Sequence, residues 1–281
     1  MAAVPGVLRV LTSREVESLR RLLAHDPVTH CFVSARLDAA GMDLWRLGGE
    51  VWGYVDTGRL TSALYVGANV IPIDTGPAAR AAFADRARRV GRRCSSIVGP
   101  ASEVLDLWRL LEPAWGTARE VRTRQPLMVC DSEPRIAADP FVRPVRLDEL
   151  DLLLPACIAM FTEEVGVSPV AGGAYESYRA RIGDIVRAGR AFARIEDGRV
   201  VFKAEVGAAT DAACQVQGVW VDPADRGRGL SAPGMAAVVQ AARERIAPVV
   251  SLYVNDYNTA ARKSYVTVGF REVGTFATVL F

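Results

Sequence analysis

Residues 222–231 read DPADRGRGLS and place two glycines within three positions, between a strand-like segment and a helix-like segment. Gly227 and Gly229 allow successive backbone N–H groups to point into one space. The helix that follows adds its unpaired first-turn N–H groups and the positive end of its dipole. Arg226 and Arg228 can add charge-assisted hydrogen bonds. This combination is suited to binding a pyrophosphate.

Two other interpretations of residues 222–231 stay open. Glycine pairs before helices also form plain turns. In addition, Gly227-x-Gly229-x-x-Ala232 satisfies the dinucleotide-binding fingerprint, with a strand before it and a helix after it. That interpretation needs several more parallel strands, whereas only one helical crossover and a short tail follow in this sequence.

A second group of residues follows the pattern N-x-x-A-x-x-x-Y-x-x-x-G-F, from Asn258 to Phe270. Asn258 is a good helix N-cap, and Ala261 and Tyr265 lie one turn apart on the same helix face. Gly269 is suited to the position that follows a helix C-terminus. Taken alone, Tyr265 is better explained as a core tyrosine whose hydroxyl has a hydrogen-bond partner.

Together, the two segments resemble the coenzyme A motifs of the GNAT acyltransferase superfamily. In the first motif, Q/R-x-x-G-x-G/A, Arg226 and Gly229 fit, and Ser231 stands where glycine or alanine is usual. The resemblance covers residues 142–281, whereas the first half is similar to the family only in its order of strands and helices. It implies acetyl-coenzyme A as cosubstrate, no metal, and an N-acetyltransferase that moves an acetyl group to a primary amine.

The resemblance also implies where coenzyme A would bind. Strand 215–221 would splay from its neighbour and offer backbone groups to the pantetheine arm, and the N–H of Val219 would polarise the thioester carbonyl. The pyrophosphate would lie on the backbone of residues 226–231. The expected cofactor-binding residues are Val219, Trp220, Val221, Arg226, Gly227, Arg228, Gly229, Leu230, Ser231, Asn258 and Ala261.

In the mechanism that the resemblance implies, the amine attacks directly in a ternary complex, so catalysis is mostly positioning and proton handling. Tyr265 would donate a proton to the departing thiolate. Glu205, in the strand before the cofactor strand, is the candidate base, because apolar neighbours would raise the pKa of its carboxyl. Strand alternation puts Lys203 on the same face, so an ordinary solvated ion pair is the alternative.

Glu164 and its neighbour Glu163 are further candidates, which would contact the acceptor or act through water. The alternative for this pair is a solvated helix end. Some members of the family need no side-chain base, and the terminal carboxylate of Phe281 is a last candidate.

The elements that must position these residues follow from the spacing of apolar residues. Two strands joined at Asp197-Gly198 form a hairpin, and a third strand precedes the glycine-rich loop. An antiparallel meander that feeds one strand–helix–strand crossover predicts a mixed α/β sheet. The expected strands are 191–196, 200–206, 214–221, 249–254 and 275–281, and the expected helices are 147–161, 173–188, 231–245 and 259–268.

Both halves open with a short strand, a polar turn and an amphipathic helix, with Asp148 as the expected N-cap in the second half. The polar, proline-containing segment 131–140 is the linker candidate. We therefore expect an α/β (α+β) protein with two GNAT-like domains, residues 1–135 and 136–281, each a mixed, mostly antiparallel sheet flanked by helices. The first domain would be a degenerate copy that does not bind coenzyme A, since residues 74–78 offer one glycine.

Composition and charge limit other functions. The net charge of +2 is spread along the chain and gives no reason to expect nucleic acid or membrane binding. No apolar run is long enough to span a membrane, and the first ten residues lack the regions of a secretory signal, so we expect a cytoplasmic protein. Five dispersed cysteines suit buried thiols, and two histidines without C-x-x-C predict no metal site.

Three functions from different classes remain: an active N-acetyltransferase, a coenzyme-A-binding sensor or scaffold without turnover, and a nucleotide-binding dehydrogenase-like protein. Tyr265 and Glu205 favour the first, because binding alone needs neither residue. The acceptor would be a small-molecule or peptide amine, and a fold cannot select among such amines. We expect the chain to act as a monomer or homodimer.

Overall fold

The computed structural model describes residues 6–281, and residues 1–5, the start of the N-terminal segment considered above, lie outside the described residues. The chain divides into two units. Unit 1 is Met1–Leu127 with Tyr253–Tyr257 and Glu272–Phe281, and unit 2 is Met128–Leu252 with Asn258–Arg271. The units are therefore not two continuous stretches of chain. The boundary between residues 135 and 136 stays a prediction.

Unit 1 is a mixed sheet flanked by helices. Its strands, in order across the sheet, are β1 (Val7–Val10), β2 (Gly49–Asp56), β3 (Arg59–Gly67), β4 (Asn69–Ile73), β5 (Ser96–Pro100), β12 (Arg271–Leu280) and the first part of β6 (Glu120–Cys130). Its helices are α1 (Val16–Leu23), α2 (Cys31–Ala40), α3 (Leu44–Leu47), α4 (Pro77–Val90) and α5 (Ala101–Trp115). The pair β4–β5 is parallel, across the connecting helix α4, and β1–β2, β2–β3, β3–β4 and β5–β12 are antiparallel.

Two apolar clusters hold the helices of unit 1 to its sheet. The cluster of α4 and α5 includes the buried side chains of Phe83 and Leu107. The cluster of α1 and α2 includes Leu19 and Val33, packed with Tyr65 of β3. Burial of such side chains is the main favourable term in folding, at about 1.5–3 kcal/mol for each large side chain.

The last strand, β12, lies in unit 1 and not in the sheet of the second half, where the sequence analysis placed it. Its residues from Phe276 to Leu280 pair antiparallel with β5. Ala277 and Val279 are buried in the cluster of α4 and α5. The four consecutive residues from Phe276 to Val279 are buried, so this part of the strand is covered on both faces.

Unit 2 contains the segments expected to carry chemistry. Its strands, in order across the sheet, are the end of β6, β11 (Val249–Tyr253), β10 (Ala213–Val221), β9 (Arg199–Ala209), β8 (Ala191–Glu196) and β7 (Arg143–Pro144). Its helices are α6 (Leu150–Val165), α7 (Tyr175–Arg187), α8 (Ser231–Arg245) and α9 (Thr259–Val268). The strands β8, β9 and β10 form an antiparallel meander, and α8 connects β10 to the parallel strand β11. This arrangement confirms the expected meander and crossover.

One face of the unit 2 sheet is covered by α6 and α7, whose cluster includes Leu153 and Ile182. Gly234 of α8 lies against the ring of Phe202 in β9, where a Cβ would stand only 2.8 Å from the ring. Glycine at this position therefore allows α8 to approach the sheet closely.

The segment 131–140, expected as a linker, is irregular but bonded to unit 2. The N–H of Arg135 donates to the carbonyl of Val268 at 2.8 Å, and the N–H of Asp139 donates to the carbonyl of Pro233 at 3.0 Å. The carboxylate of Asp139 also accepts a hydrogen bond from Arg194 at 2.8 Å. These contacts explain why the segment is part of unit 2.

The start of α6 differs from the prediction of Asp148 as N-cap. A short 3-10 turn over Leu147–Glu149 leads into the helix, and Arg146 precedes that turn. The carboxylate of Glu149 accepts the N–H of Arg146 at 2.9 Å and two bonds from Arg143 at 2.8 and 2.6 Å. Glu149, and not Asp148, therefore stabilises the start of the helix, because its longer side chain reaches back to the backbone N–H of Arg146.

Among residues 6–281, no helix has both the length and the apolar content needed to cross a membrane.

Candidate active site

The cofactor strand β10 carries a bulge opposite β9. Gln217 is opposite Glu205 and Trp220 is opposite Lys203, so Gly218 and Val219 together face a single residue of β9. Gly218 has φ +61°, a conformation that residues with a Cβ rarely adopt. Such bulges redirect the backbone and often lie beside active sites.

β10 also diverges from its other neighbour, β11. The parallel pairing joins Ala213–Gln215 to Val249–Ser251, whereas β10 runs on to Val221. The second half of β10, which includes the bulge, is therefore the part that leaves the regular ladder. This is the splayed strand expected from the sequence.

The glycine-rich loop connects β10 to α8. Gly227 and Gly229 both have φ +78°, and α8 begins two residues after the second glycine, at Ser231. Within the described part of the chain, a Cβ built on either glycine would meet open space. The glycines are therefore required by the backbone conformation, and the space in front of this loop and helix N-terminus is accessible to an anion.

The two arginines of the loop have carboxylate partners. Arg226 donates two hydrogen bonds to Glu163 of α6, at 2.6 and 2.8 Å. Arg228 donates to Asp225 at 2.5 Å. The indole N–H of Trp220 also donates to Glu163, at 3.2 Å. The guanidinium of Arg226 accordingly lowers the pKa of Glu163, which stays ionised at neutral pH.

The pairing of Glu163 with Arg226 was not predicted from the sequence, where Glu163 was expected, with Glu164, to contact the acceptor or to act through water. Sixty-three positions separate the partners in the chain. The available signal was the location of both glutamates at the C-terminal end of a helix, and it could not identify the facing group.

Glu205, the candidate base, is 3% exposed, and Lys203 is fully buried beside it. The ammonium of Lys203 bonds to the carboxylate of Glu205 and lies 3.4 Å from the sulfur of Cys157. Burial would raise the pKa of Glu205, but the ammonium outweighs it and keeps the pKa below its ordinary value. The two side chains therefore form the ion pair given as the alternative above, but the expectation that this pair is solvated was wrong, because both side chains are buried.

Tyr265 lies on α9 with 5% of its surface exposed. Burial, and secondly the negative charge of Glu164, raise the pKa of Tyr265 above its ordinary value. The hydroxyl is therefore protonated at neutral pH.

The start of α9 has the geometry expected for Asn258. Its side-chain oxygen accepts the N–H of Ala261 at 3.2 Å, and the residue caps the helix. Gly269 ends the helix with φ +122°, as expected for a position that follows a C-terminus. The second motif thus fixes Tyr265 in the middle of a helix that is ordered at both ends.

Phe281 has a structural position in unit 1. Its ring lies 5.5 Å from that of Trp108 and 5.9 Å from that of Trp115, and the guanidinium of Arg92 lies 4.5 Å above it. The suggestion that its carboxylate is a base for unit 2 has no support from this placement, because Phe281 completes the aromatic packing of unit 1.

The loop of unit 1 that corresponds in topology to the glycine-rich loop follows β4 and precedes α4. Both the N–H and the hydroxyl of Thr75 donate to Glu103, the N–H at 2.7 Å. The carboxylate of Glu103 thus occupies the backbone N–H of Thr75 in this loop. Its negative charge would repel a phosphate there.

Across the described residues, no group of three or more histidine, cysteine, aspartate or glutamate side chains has the geometry of a metal site. The five cysteines are all buried. Burial raises the pKa of Cys157 to about 12, so this thiol stays neutral.

Two family models match different parts of the chain. Residues 161–270 match the model of the Acetyltransferase (GNAT) family, and residues 49–153 match a domain of unknown function, DUF4081. No curated protein matches the chain by sequence.

Several solved structures share the fold over almost the whole chain. A GNAT-family acetyltransferase from Colwellia psychrerythraea is 11% identical with a TM-score of 0.55, covering 98% of this chain and 99% of that one. A GCN5-related N-acetyltransferase from Sphaerobacter thermophilus is 15% identical with a TM-score of 0.62, covering 98% and 96%. A tandem GNAT protein from the clavulanic acid biosynthesis pathway is 15% identical with a TM-score of 0.52, covering 98% of each chain. At these identities the likeness shows the fold alone.

The bulged and splayed β10, the glycine-rich loop and the capped α9 all lie inside the matched segment 161–270. Unit 1 repeats the strand–helix–strand crossover of unit 2. Residues 161–270 therefore match the GNAT acetyltransferase family, and almost the whole chain shares the fold of solved GNAT proteins, a tandem GNAT protein among them.

Proposed function

We propose that unit 2 is an acetyl-CoA-dependent N-acetyltransferase that moves an acetyl group to a primary amine in a ternary complex. The observation that carries this proposal is the occurrence of three features in one unit: a bulged, diverging β10, an open two-glycine loop at the N-terminus of α8, and a buried, protonated Tyr265 on α9. The family match to residues 161–270 supports acyl transfer as the general chemistry.

The backbone of β10 and of the glycine-rich loop would hold the cosubstrate. Residues 226–231 would bind the pyrophosphate, and Val219, Trp220 and Val221 would face the pantetheine arm. The N–H of Val219, which belongs to the bulge, would donate to the thioester carbonyl oxygen. Asn258 and Ala261, at the start of α9, would contact the cosubstrate from the other side. Bound acetyl-CoA supplies the activated acetyl group and a thiolate leaving group.

Tyr265 would supply the proton that the leaving group needs. In the reaction the C–N bond forms as the C–S bond breaks, the attacking amine loses one proton, and the sulfur gains one. The raised pKa of Tyr265 keeps a proton available on its hydroxyl. Its burial limits competition from water for that proton.

Glu164 is the preferred group to take the proton from the amine, directly or through water. It is exposed at the end of α6, and its negative charge adds to the effect of burial in raising the pKa of Tyr265. Glu205, the other candidate, is less suited to this role because it is buried and paired with Lys203. A base must reach the proton that it removes.

An amine panel tests the proposal, with release of free thiol from acetyl-CoA as the readout. We expect at least one amine to be acetylated, and Tyr265→Phe to lower kcat by about 10²-fold while the Kd for acetyl-CoA changes by less than about threefold. The matched control is Tyr257→Phe, since Tyr257 is 69% exposed and lies in unit 1.

Two results would contradict the proposed enzymatic activity. Tight binding of acetyl-CoA without transfer to any amine would indicate the coenzyme-A-binding sensor or scaffold. Thermal stabilisation by NAD but not by coenzyme A would indicate the dinucleotide-binding alternative.

A further inference from the structure

The interior of unit 2 contains a buried ion pair. Lys203 and Glu205 are two positions apart in β9 and share the face that α6 and α7 cover. Lys203 is 0% and Glu205 3% exposed. Cys157 of α6 completes the cluster, because its sulfur lies 3.3 Å from the Glu205 carboxylate and 3.4 Å from the Lys203 ammonium.

Such a pair contributes little to stability by itself. Removing two charges from water costs several kcal/mol for each ion, and replacing a buried pair by apolar residues is often neutral. Burial would lower the pKa of Lys203, but the charge of Glu205 outweighs this effect and raises the pKa, so the ammonium stays charged. Lys203 and Glu205 thus place two full charges in the interior of unit 2, where two apolar side chains could pack instead.

The location of the pair relates it to β10. In the β9–β10 ladder, Glu205 is opposite Gln217 and Lys203 is opposite Trp220, so the two charges lie on either side of the bulge. A Cβ on Gly218 would stand 3.1 Å from the Lys203 nitrogen and 3.5 Å from the Glu205 carboxyl carbon. The backbone of the bulge at Gly218 therefore lies next to the side chains of Lys203 and Glu205.

We propose that Lys203 and Glu205 are a positioning pair, which supports the Gly218–Val219 bulge and fixes the Val219 N–H for the thioester carbonyl oxygen. Glu205 acts through the bulge and exchanges no proton with the amine. This inference rests on the proposed binding of acetyl-CoA to β10.

The test measures the carbonyl stretching frequency of bound acetyl-CoA, labelled with 13C at the thioester carbonyl, by infrared difference spectroscopy. A hydrogen bond from the bulge lowers this frequency relative to free acetyl-CoA, and the measurement needs no amine acceptor. The test variant is Lys203→Met with Glu205→Gln, which removes both charges together so that neither is left buried alone.

We expect the wild type to lower the frequency, and the double variant to lose most of that shift while binding acetyl-CoA within about threefold of wild type. Once an acceptor is known, we expect kcat of the double variant to fall at least about tenfold with the shape of its pH profile unchanged. A base role for Glu205 predicts instead that the acidic limb of the profile disappears.

The matched control is Arg194→Met with Asp139→Asn, which removes another largely buried ion pair of unit 2 (side chains 19% and 5% exposed). We expect this control to keep the wild-type carbonyl frequency. If the Lys203/Glu205 variant also keeps it, or loses the acidic limb, the positioning role is wrong while the proposed function stands. If the wild type does not bind acetyl-CoA, the proposed function itself fails.

Discussion

At the scale of single residues, the bulge of β10 requires glycine at position 218. Gly218 combines a positive φ with close neighbours: a Cβ there would stand 3.0 Å from the terminal methyl of Met160 and 3.1 Å from the Lys203 nitrogen. The bulge can therefore hold its shape only with glycine at this position.

We expect Gly218→Ala to lower the free energy of unfolding by about 1–3 kcal/mol, because alanine is strained at this φ. We also expect kcat to fall at least about tenfold, since the Val219 N–H moves. Chemical denaturation and steady-state kinetics measure the two effects. The control is Gly198→Ala, at φ +72° in the β8–β9 turn with open space around it. It should lose stability with kcat unchanged, and equal kcat losses in both variants would show that the bulge has no special role.

Local sequence determined which residues of the second motif would be ordered, but not which charges would meet. The N-cap of Asn258 and the helix end at Gly269 are confirmed, because both depend on neighbours a few positions away. The contacts of Glu163 with Arg226 and of Cys157 with Lys203 join residues far apart in the chain. Spacing in a sequence gives no information on such pairs until the strands and helices are packed.

At the scale of elements, helices and strands with clear periodicity were predicted well. Helices 231–245 and 259–268 are confirmed at both ends. In the first half, the sequence predicts strands near 51–56, 61–67 and 94–98 and helices near 13–24, 77–90 and 101–111. That prediction did not include α2 or β4. The sequence of α2, CFVSARLDAA, has no continuous apolar stripe, although Cys31, Val33 and Leu37 are buried. These residues are buried because α1 and the sheet pack against α2. The spacing of apolar residues within α2 gives no sign of this burial.

The turn before α6 gives a test of an element boundary. The bonds from Arg143 and Arg146 to Glu149 lower the pKa of its carboxyl to about 2, from 4.5. Because the folded-state pKa is below the unfolded value, this stabilisation is full above about pH 4.5 and is lost as the pH falls towards 2. We expect Glu149→Gln to destabilise the protein by about 2 kcal/mol at pH 7, and by progressively less below pH 4.5.

Chemical denaturation at several pH values measures this effect, with Asp148→Asn as the control. Asp148 has a side chain that is 71% exposed, so we expect a change below about 0.5 kcal/mol. A larger effect at Asp148 than at Glu149 would restore Asp148 as the group that stabilises the helix start.

At the scale of the whole molecule, the sequence indicated two copies of one plan, and both units contain the strand–helix–strand crossover. The assignment of β12 was wrong because a short apolar strand of this kind fits either sheet, and only its pairing with β5 decides between them. The two copies differ at the loop before the crossover helix. In unit 2 the loop has two glycines in open surroundings, whereas in unit 1 Glu103 takes the amide of Thr75.

The central claim is that one unit binds acetyl-CoA and the other does not, and a calorimetric titration of the full chain with acetyl-CoA tests it most directly. We expect one site per chain, and a Kd at least about tenfold weaker in Gly227→Ala with Gly229→Ala, because alanine is strained at φ +78° and displaces the loop amides. Two sites per chain, no binding, or unchanged affinity in the double variant would contradict the claim.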